Sequence, residues 1–166
     1  MMKRLFPCLI LLGALLALFA ACNKNYRQDL SPYELADYVE RGLDANLFRA
    51  LDDNAGFYGD LMDPEGDVSF ALRVSEDGSN LDEFGVFAAK DEASAKTLSK
   101  NLKTYLEGLY RENCEWYLSY IPEEVPKLKD AEVKTFGRYV AYAILRENER
   151  NRVFDLLRER LLQVKA

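Results

Sequence analysis

Six carboxylates crowd one short stretch of this 166-residue chain, and carboxylates are the side chains that bind hard cations. They are Asp52, Asp53, Asp60, Asp63, Glu65 and Asp67. A Ca²⁺ ion takes about six to eight oxygen ligands from a tight loop, but the spacing of an EF-hand with its closing Glu is absent. The stretch therefore predicts a solvated acidic loop, with a calcium site as the alternative.

The amino-acid composition excludes most other catalytic systems. The chain has no histidine, so it lacks the Ser-His-Asp and Cys-His nucleophile systems and every imidazole metal site. Neither a glycine-rich phosphate loop nor a CxxC pair occurs. Two carboxylates across a cleft could still hydrolyse a glycosidic bond, but among 28 acidic residues sequence neighbours are weak evidence for such a pair. We expect no catalytic residue, no metal and no cofactor.

The N-terminus has the pattern of a secretory signal. A basic start at Lys3 and Arg4 precedes an apolar run over residues 5–19, and two alanines follow it. Fifteen helical residues span about 22 Å, which is less than the ~30 Å hydrocarbon core of a bilayer. The run therefore predicts a signal peptide over residues 1–21 and not a membrane-spanning helix.

Residues 18–22, Leu-Phe-Ala-Ala-Cys, resemble a bacterial lipobox, although Phe19 stands where that pattern prefers Leu. The resemblance implies that the thiol of Cys22 receives a diacylglyceryl group and that cleavage makes Cys22 the new N-terminus. It further implies an acylated, palmitate-bearing lipoprotein outside the cytoplasm, with the membrane as its first partner through Cys22. An uncleaved anchor helix and ordinary cleavage that leaves a free cysteine are the alternatives.

The mature chain is acidic. Without residues 1–21 it holds 20 basic and 28 acidic side chains, a net charge of −8, and this charge together with the compartment excludes nucleic acid as a partner. Residues 22–95 are acidic and residues 96–166 are slightly basic. Either the two parts face each other within one fold, or a basic face meets anionic lipid or wall polymer. If Cys22 is a thioether, Cys114 has no disulfide partner, and we expect it to be buried.

Residues 22–30 are polar and aperiodic, which predicts a tether, and residues 31–166 predict a single domain. Ser31 caps a first helix with Glu34 three residues later. Residues 45–66 have no clean period beyond a helical turn at 47–51. The remaining pattern predicts strands over 68–74 and 83–89, a helix from Asp91 to about Tyr117, a connector over 122–130, strands over 133–136 and 138–145, and a helix over 147–164.

This element order is α-ββα-ββα, which predicts an α+β fold: one four-stranded antiparallel sheet with helices packed on one face. The ββα unit occurs twice, and a shift of 56 residues places Asp91 on Glu147 and Leu98 on Phe154. Either an ancestral duplication or two similar units made by the same folding rules accounts for it.

Two segments carry a family resemblance. They are Leu81-Asp82-Glu83-Phe84-Gly85-Val86-Phe87 with the helix that opens at Asp91, and the ordered set Tyr120-Ile121-Pro122-Glu123-Glu124, Leu128, Ala131-Glu132-Val133 and Gly137-Arg138-Tyr139-Val140. Together they resemble a bacterial lipoprotein family known as a domain of unknown function, DUF4358, over most of residues 30–158. The resemblance implies a lipid-anchored extracytoplasmic α+β domain and supplies no activity, substrate or catalytic residue.

Aromatic residues give the candidate interaction patch. Tyr139 and Tyr142 point to opposite sides of their predicted strand, so we expect one of them on the open face of the sheet. We predict that Tyr120, Arg138 and Tyr139 flank one shallow, partly exposed patch near the Pro122 connector, because Tyr gives large contact area at modest entropy cost. The alternative is that these aromatics fill the core.

Two function classes follow. The first is a non-catalytic binding or interaction module at the bacterial cell envelope, with a protein or an envelope polymer as its partner. The second is a small carboxylate-dependent hydrolase, with or without a metal. A cleft enclosing convergent acids with raised pKa values would favour the enzyme, and an exposed aromatic patch on a solid core would favour the module.

Overall fold

The computed structural model describes residues 26–43, 48–51 and 68–163. Cys22, the apolar run and the six carboxylates of residues 52–67 lie outside the described residues. The elements in chain order are helix α1 (Pro32–Arg41), strands β1 (Phe48–Ala50), β2 (Ser69–Ser75) and β3 (Glu83–Ala88), helices α2 (Glu92–Tyr120) and α3 (Val125–Lys129), strands β4 (Glu132–Phe136) and β5 (Tyr139–Ile144), and helix α4 (Glu147–Leu162). The α+β class is confirmed.

The strands form one antiparallel sheet in the order β1-β2-β3-β5-β4. It has five strands, so the prediction of four is wrong. The extra strand β1 pairs Phe48 with Ser75 and Ala50 with Arg73, in the stretch where a helical turn was expected. Three residues at a sheet edge are too few to display the alternation by which a strand is recognised.

Helices cover both faces of the sheet, so the prediction of helices on one face is also wrong. Tyr139, Ala141 and Ala143 of β5 join the core cluster that α1 and α4 cover. Val140 and Tyr142 join the cluster that α2 covers. Every residue of β5 is buried, as is usual for a strand with both faces covered.

The predicted helix starts are confirmed by their caps. The side chain of Ser31 accepts a hydrogen bond from the N–H of Glu34, whose carboxylate accepts in return from the N–H of Ser31, so α1 opens with a capping box. Asp91 caps α2 by accepting from the N–H of Ser94. Helix α2 ends at Tyr120, three residues later than predicted, because Pro122 follows its last turn.

Helix α2 is much longer than the sheet it covers. Its 29 residues span about 43 Å, whereas the six residues of β3 span about 20 Å. The fully buried positions, Ala95, Leu98, Leu102 and Leu106, lie in its first half. The C-terminal turns of α2 therefore extend past the end of the sheet. None of the helices within residues 26–43, 48–51 and 68–163 is both long and apolar enough to cross a bilayer.

Residues 26–30, which we call the N-terminal strap, pack against the domain instead of forming the end of a tether. The Tyr26 ring meets the Phe136 ring edge-on at 5.8 Å between centroids, and the N–H of Arg27 donates to the carbonyl of Leu161 at 2.9 Å. The strap crosses Gly137, whose φ is +61° and where an added Cβ would lie 2.9 Å from Nε2 of Gln28. The prediction of a tether over 22–30 is thus wrong for 26–30, because Tyr26 and Leu30 find apolar partners.

Candidate functional site

The structure does not bring the three predicted patch residues together. Tyr139 is buried, with 1% of its surface exposed, and its hydroxyl bonds to the backbone of Leu30. Arg138 lies beside it, with its guanidinium carbon 5.6 Å from the centre of the Tyr139 ring. Tyr120 is 69% exposed at the end of α2.

Tyr120 and Tyr139 lie at opposite ends of the sheet. The N–H of Ala89 donates to the carbonyl of Arg138 at 3.0 Å, so α2 begins beside the β4–β5 turn, which we call the strap end. From there α2 runs about 43 Å to the other end, beside the β2–β3 turn, which we call the cleft end. The prediction that Tyr120 and Tyr139 share one patch is therefore wrong.

Tyr142 is buried as well, so the expectation that either Tyr139 or Tyr142 occupies an open sheet face is wrong. The two side chains do point to opposite faces, as predicted, but each face carries helices. The aromatic residues of β5 fill the core.

An aromatic group is nevertheless exposed at the cleft end. Trp116 and Tyr120 lie one turn apart on α2 with ring centroids 4.8 Å apart, and Trp116 meets Tyr117 edge-on at 5.3 Å. Trp116 is 56% exposed and Leu118 is 53% exposed. We call Trp116, Leu118 and Tyr120 the aromatic tip. Large side chains exposed together, beyond the end of the core, are typical of an interaction surface.

A cleft of about 240 Å³ adjoins the aromatic tip, and we call it the end cleft. It lies between β1, the β2–β3 turn, the C-terminal half of α2 and Leu128 of α3. Tyr117 lines it and also touches Trp116, so the cleft and the tip are continuous. Its charged lining consists of Arg49, Asp77, Asp82 and Glu83.

Glu83 is the carboxyl in the end cleft with a raised pKa. Burial raises the pKa of Glu83 above its ordinary value of about 4.5, while the hydrogen bond from the hydroxyl of Tyr142 acts in the opposite direction. Burial, followed by the charge of Glu83, also raises the pKa of Tyr117. A titratable group with a raised pKa in a cleft is a recognised mark of a functional site.

A buried ionic cluster holds the wall of this cleft. The ammonium of Lys127 lies 2.6 Å from Oδ1 of Asp82 and 2.7 Å from Oε2 of Glu124, and it donates to Oδ1 of Asn80 at 3.1 Å. Glu124 also accepts from the N–H of Leu81. The cluster therefore ties the β2–β3 turn to α3 and engages Asp82 away from solvent.

A larger groove, of about 430 Å³, lies between α2, α3 and β4. Two acids line it: Glu107 is exposed, and the half-buried Glu132 is engaged by Arg150 at 2.9 Å and by Lys134 at 3.1 Å. Partial burial acts to raise the pKa of Glu132, but the hydrogen bonds and charges of Lys134 and Arg150 outweigh it, so the pKa is lowered. The half-buried acid of this groove is thus already paired with protein cations, and the end cleft is the better candidate site.

In the part of the chain that the structure describes, neither a metal site nor a thiol site is a better candidate than the end cleft. No group of three or more Asp, Glu or Cys side chains there could hold a metal ion. Cys114 is free and half-buried, less covered than expected, and its side chain contacts Tyr110 one turn away. The hydrogen bond with Cys114 raises the pKa of Tyr110.

Sequence reasoning missed Glu83, although a signal was present. Glu83 shares the inward face of β3 with Phe87, and a carboxyl at such a position must find a hydrogen-bond partner or a raised pKa. Its partner Tyr142 lies on β5, and that strand pairing is what sequence reasoning did not supply.

The comparisons with known proteins bear on the span that holds the site. Residues 65–145 match a protein family described as a domain of unknown function (DUF4358), from just before β2 to the residue after β5. Neither a curated protein nor a solved structure matches the chain. The end cleft and the aromatic tip fall almost wholly within the matched span, whereas the strap, α1 and α4 lie outside it. Residues 65–145 of the chain are therefore similar to the DUF4358 family, a domain of unknown function.

Proposed function

We propose that this protein is a lipid-anchored, extracytoplasmic binding module of the bacterial cell envelope, and that the aromatic tip and the end cleft form its binding surface. Its partner would be a protein or an envelope polymer. The lipid would be attached to Cys22, which resembles the cysteine of a lipobox.

The observation that carries this proposal is the separation of the strap from the aromatic tip. The strap fixes the start of the described chain at one end of the sheet, and Trp116 and Tyr120 are exposed past the other end, about 43 Å along α2. An anchor at Cys22, four residues before Tyr26, would hold the strap end near the bilayer. The aromatic tip would then face away from it, where a partner in the envelope can reach it.

The alternative, a carboxylate-dependent hydrolase, draws support from Glu83 alone. Hydrolysis by paired carboxylates needs a second acid across the cleft. Among the described residues of the cleft, Asp82 is held by Lys127, and hydrogen bonds from Ser79 lower the pKa of Asp77. We therefore favour the binding module.

Two measurements test the proposal. Intact-mass analysis of the membrane-extracted protein should give a chain that begins at an acylated Cys22, and Cys22→Ser should abolish the added mass. An unmodified Cys22 in the membrane-derived protein would refute the anchor.

The binding surface is tested by site-specific photo-crosslinking in intact cells. A photoreactive residue at Tyr120 should yield a discrete adduct, and one at Tyr33, an aromatic residue on α1 that is 47% exposed, serves as the matched control. Equal adducts at both positions, or none at position 120, would refute a role for the aromatic tip.

A further inference from the structure

We infer that the end cleft binds a primary ammonium group on an aliphatic chain, as in a lysine side chain, with the carboxylate of Glu83 as its counter-ion. This inference rests on the proposed function in one respect: it takes the cleft end to be the binding end of the molecule.

The shape and walls of the end cleft fit an aliphatic chain. Its volume of about 240 Å³ corresponds to about eight water molecules at ~30 Å³ each, which suits a side chain more than a large ligand. The apolar side chains of the lining come from six different segments of the fold and are Leu51, Val74, Leu81, Leu109, Leu128 and Ile144. Tyr117 adds an aromatic wall, and a cation is attracted to an aromatic face.

The charge of the lining favours a cation. Three carboxylates and one guanidinium line the cleft, and the guanidinium belongs to Arg49, which is exposed. Asp82 is neutralised by Lys127. Within the described residues, no Lys or Arg forms an ion pair with Glu83, whose hydrogen bond comes from the uncharged hydroxyl of Tyr142. The cleft therefore has apolar walls and an acid that forms no ion pair with a Lys or Arg of the described chain.

The geometry at Glu83 distinguishes an ammonium from a guanidinium. The hydroxyl of Tyr142 occupies Oε1 of Glu83. A guanidinium binds a carboxylate best through both oxygens, whereas an ammonium is a point charge that needs one. The remaining oxygen, Oε2, suits the ammonium. The acidic surroundings of the aromatic tip, with Glu112, Glu115 and Glu123 exposed, would attract the same kind of basic partner.

Binding should be linked to proton release. Burial keeps the pKa of Glu83 raised in the empty cleft, and an ammonium beside the carboxyl would favour its ionised form. The groups that face Glu83 are Tyr142 from β5, Tyr117 from α2 and the neighbouring Asp77, Asp82 and Arg49. The expected proton release therefore comes from Glu83.

Calorimetric titration of the full-length, detergent-extracted protein tests the inference. The probes are the N-acetyl methylamides of lysine and norleucine, which share an aliphatic chain but differ in the ammonium. The lysine probe should bind and the norleucine probe should not. Titrations in two buffers of different ionisation enthalpy should report released protons at any pH where Glu83 is protonated in the empty cleft. Equal binding of the two probes, or binding of neither, would overturn the inference.

Variants locate the counter-ion. Glu83→Gln should weaken binding of the lysine probe by at least about tenfold. The control Glu76→Gln, in the β2–β3 turn but outside the lining of the cleft, should change the affinity less than about twofold. Unchanged binding in Glu83→Gln would also overturn the inference.

The outcomes separate this inference from the proposed function. Adducts at position 120 without lysine-probe binding would reject the ammonium site and leave the binding module standing. Lysine-probe binding without adducts at position 120 would reject the proposed binding surface and leave an ammonium site of another role.

Discussion

The hydroxyl of Tyr139 engages both backbone polar groups of Leu30. It accepts a hydrogen bond from the N–H at 3.1 Å and donates one to the carbonyl oxygen at 2.8 Å, across 109 residues of sequence. Both residues are buried. One phenol on a central strand thus closes the N-terminal strap onto the sheet.

Tyr139→Phe should destabilise the fold by about 1–3 kcal/mol, because it leaves a buried N–H and a buried carbonyl without partners. Urea denaturation followed by circular dichroism measures the loss. Tyr33→Phe, on the exposed face of α1, is the control and should be neutral. Equal stability of the two variants would show that Leu30 is satisfied by water.

Lys127→Met should lower the free energy of unfolding by about 3–5 kcal/mol, since it leaves Asp82 and Glu124 as buried carboxylates without their shared cation. The control is Arg111→Ala, which removes an exposed ion pair with Glu112 at 3.6 Å and should cost less than about 1 kcal/mol. Adding Asp82→Asn to Lys127→Met should recover part of the loss, because one of the stranded charges is gone. A loss no larger than that of the control would contradict the buried cluster.

The pH dependence of stability should reveal Glu83. A carboxyl with a raised pKa binds more protons in the folded state, so its contribution to stability falls as pH rises from about 4.5 to its folded pKa. The stability of Glu83→Gln relative to the natural chain should therefore increase over this range and then level off. Denaturation curves between pH 4 and 8 measure it, and a flat difference would contradict the raised pKa.

Asp91→Asn should give the opposite trend. The hydrogen bond from the N–H of Ser94 lowers the pKa of Asp91 below its ordinary value of about 3.8, so its contribution is present above that value and is lost as pH falls through the folded pKa. The loss of stability in Asp91→Asn, relative to the natural chain, should thus become smaller as the pH falls. This contrast serves as the internal control for Glu83.

Gly137→Ala should be destabilising by about 1–2 kcal/mol, because the position has a φ of +61°, which residues with a Cβ rarely adopt. Gly78→Ala is the matched control, since nothing lies within 4 Å of its added Cβ. Thermal unfolding of the two variants measures the difference. Similar melting temperatures would argue against the left-handed backbone at Gly137.

Local signals in the sequence predicted the local structure well. Ser31 with Glu34 and Asp91 with its following turn marked two helix starts, because capping depends on residues within one turn. Gly137 marked the β4–β5 turn, since few other residues adopt a positive φ. These features need no knowledge of the rest of the fold.

Relationships between distant segments were less accessible. The unbroken apolar run from Tyr139 to Ile144 does indicate a strand covered on both faces, and assigning it a single covered face led to the one-sided sheet. The strap was misread because Tyr26 and Leu30 look isolated until Phe136 and Tyr139 are placed beside them.

The candidate site was predictable only in part. The exposure of Trp116 and Tyr120 follows from the length of α2, which sequence reasoning ended three residues early. Glu83 needed the pairing of β3 with β5, which places Tyr142 against it. Tertiary pairing, and not residue type, therefore defines the end cleft.

The docking of the strap also sets the order in which the chain can fold. The partners of the strap come late in the sequence: Tyr139 for Leu30 and Leu161 for Arg27. Contacts between such distant segments are slow to form, because the entropy of closing a long loop must be lost first. A chain that emerges N-terminus first carries its strap without Tyr139 and Leu161 until those residues appear, so docking of the strap comes late in folding.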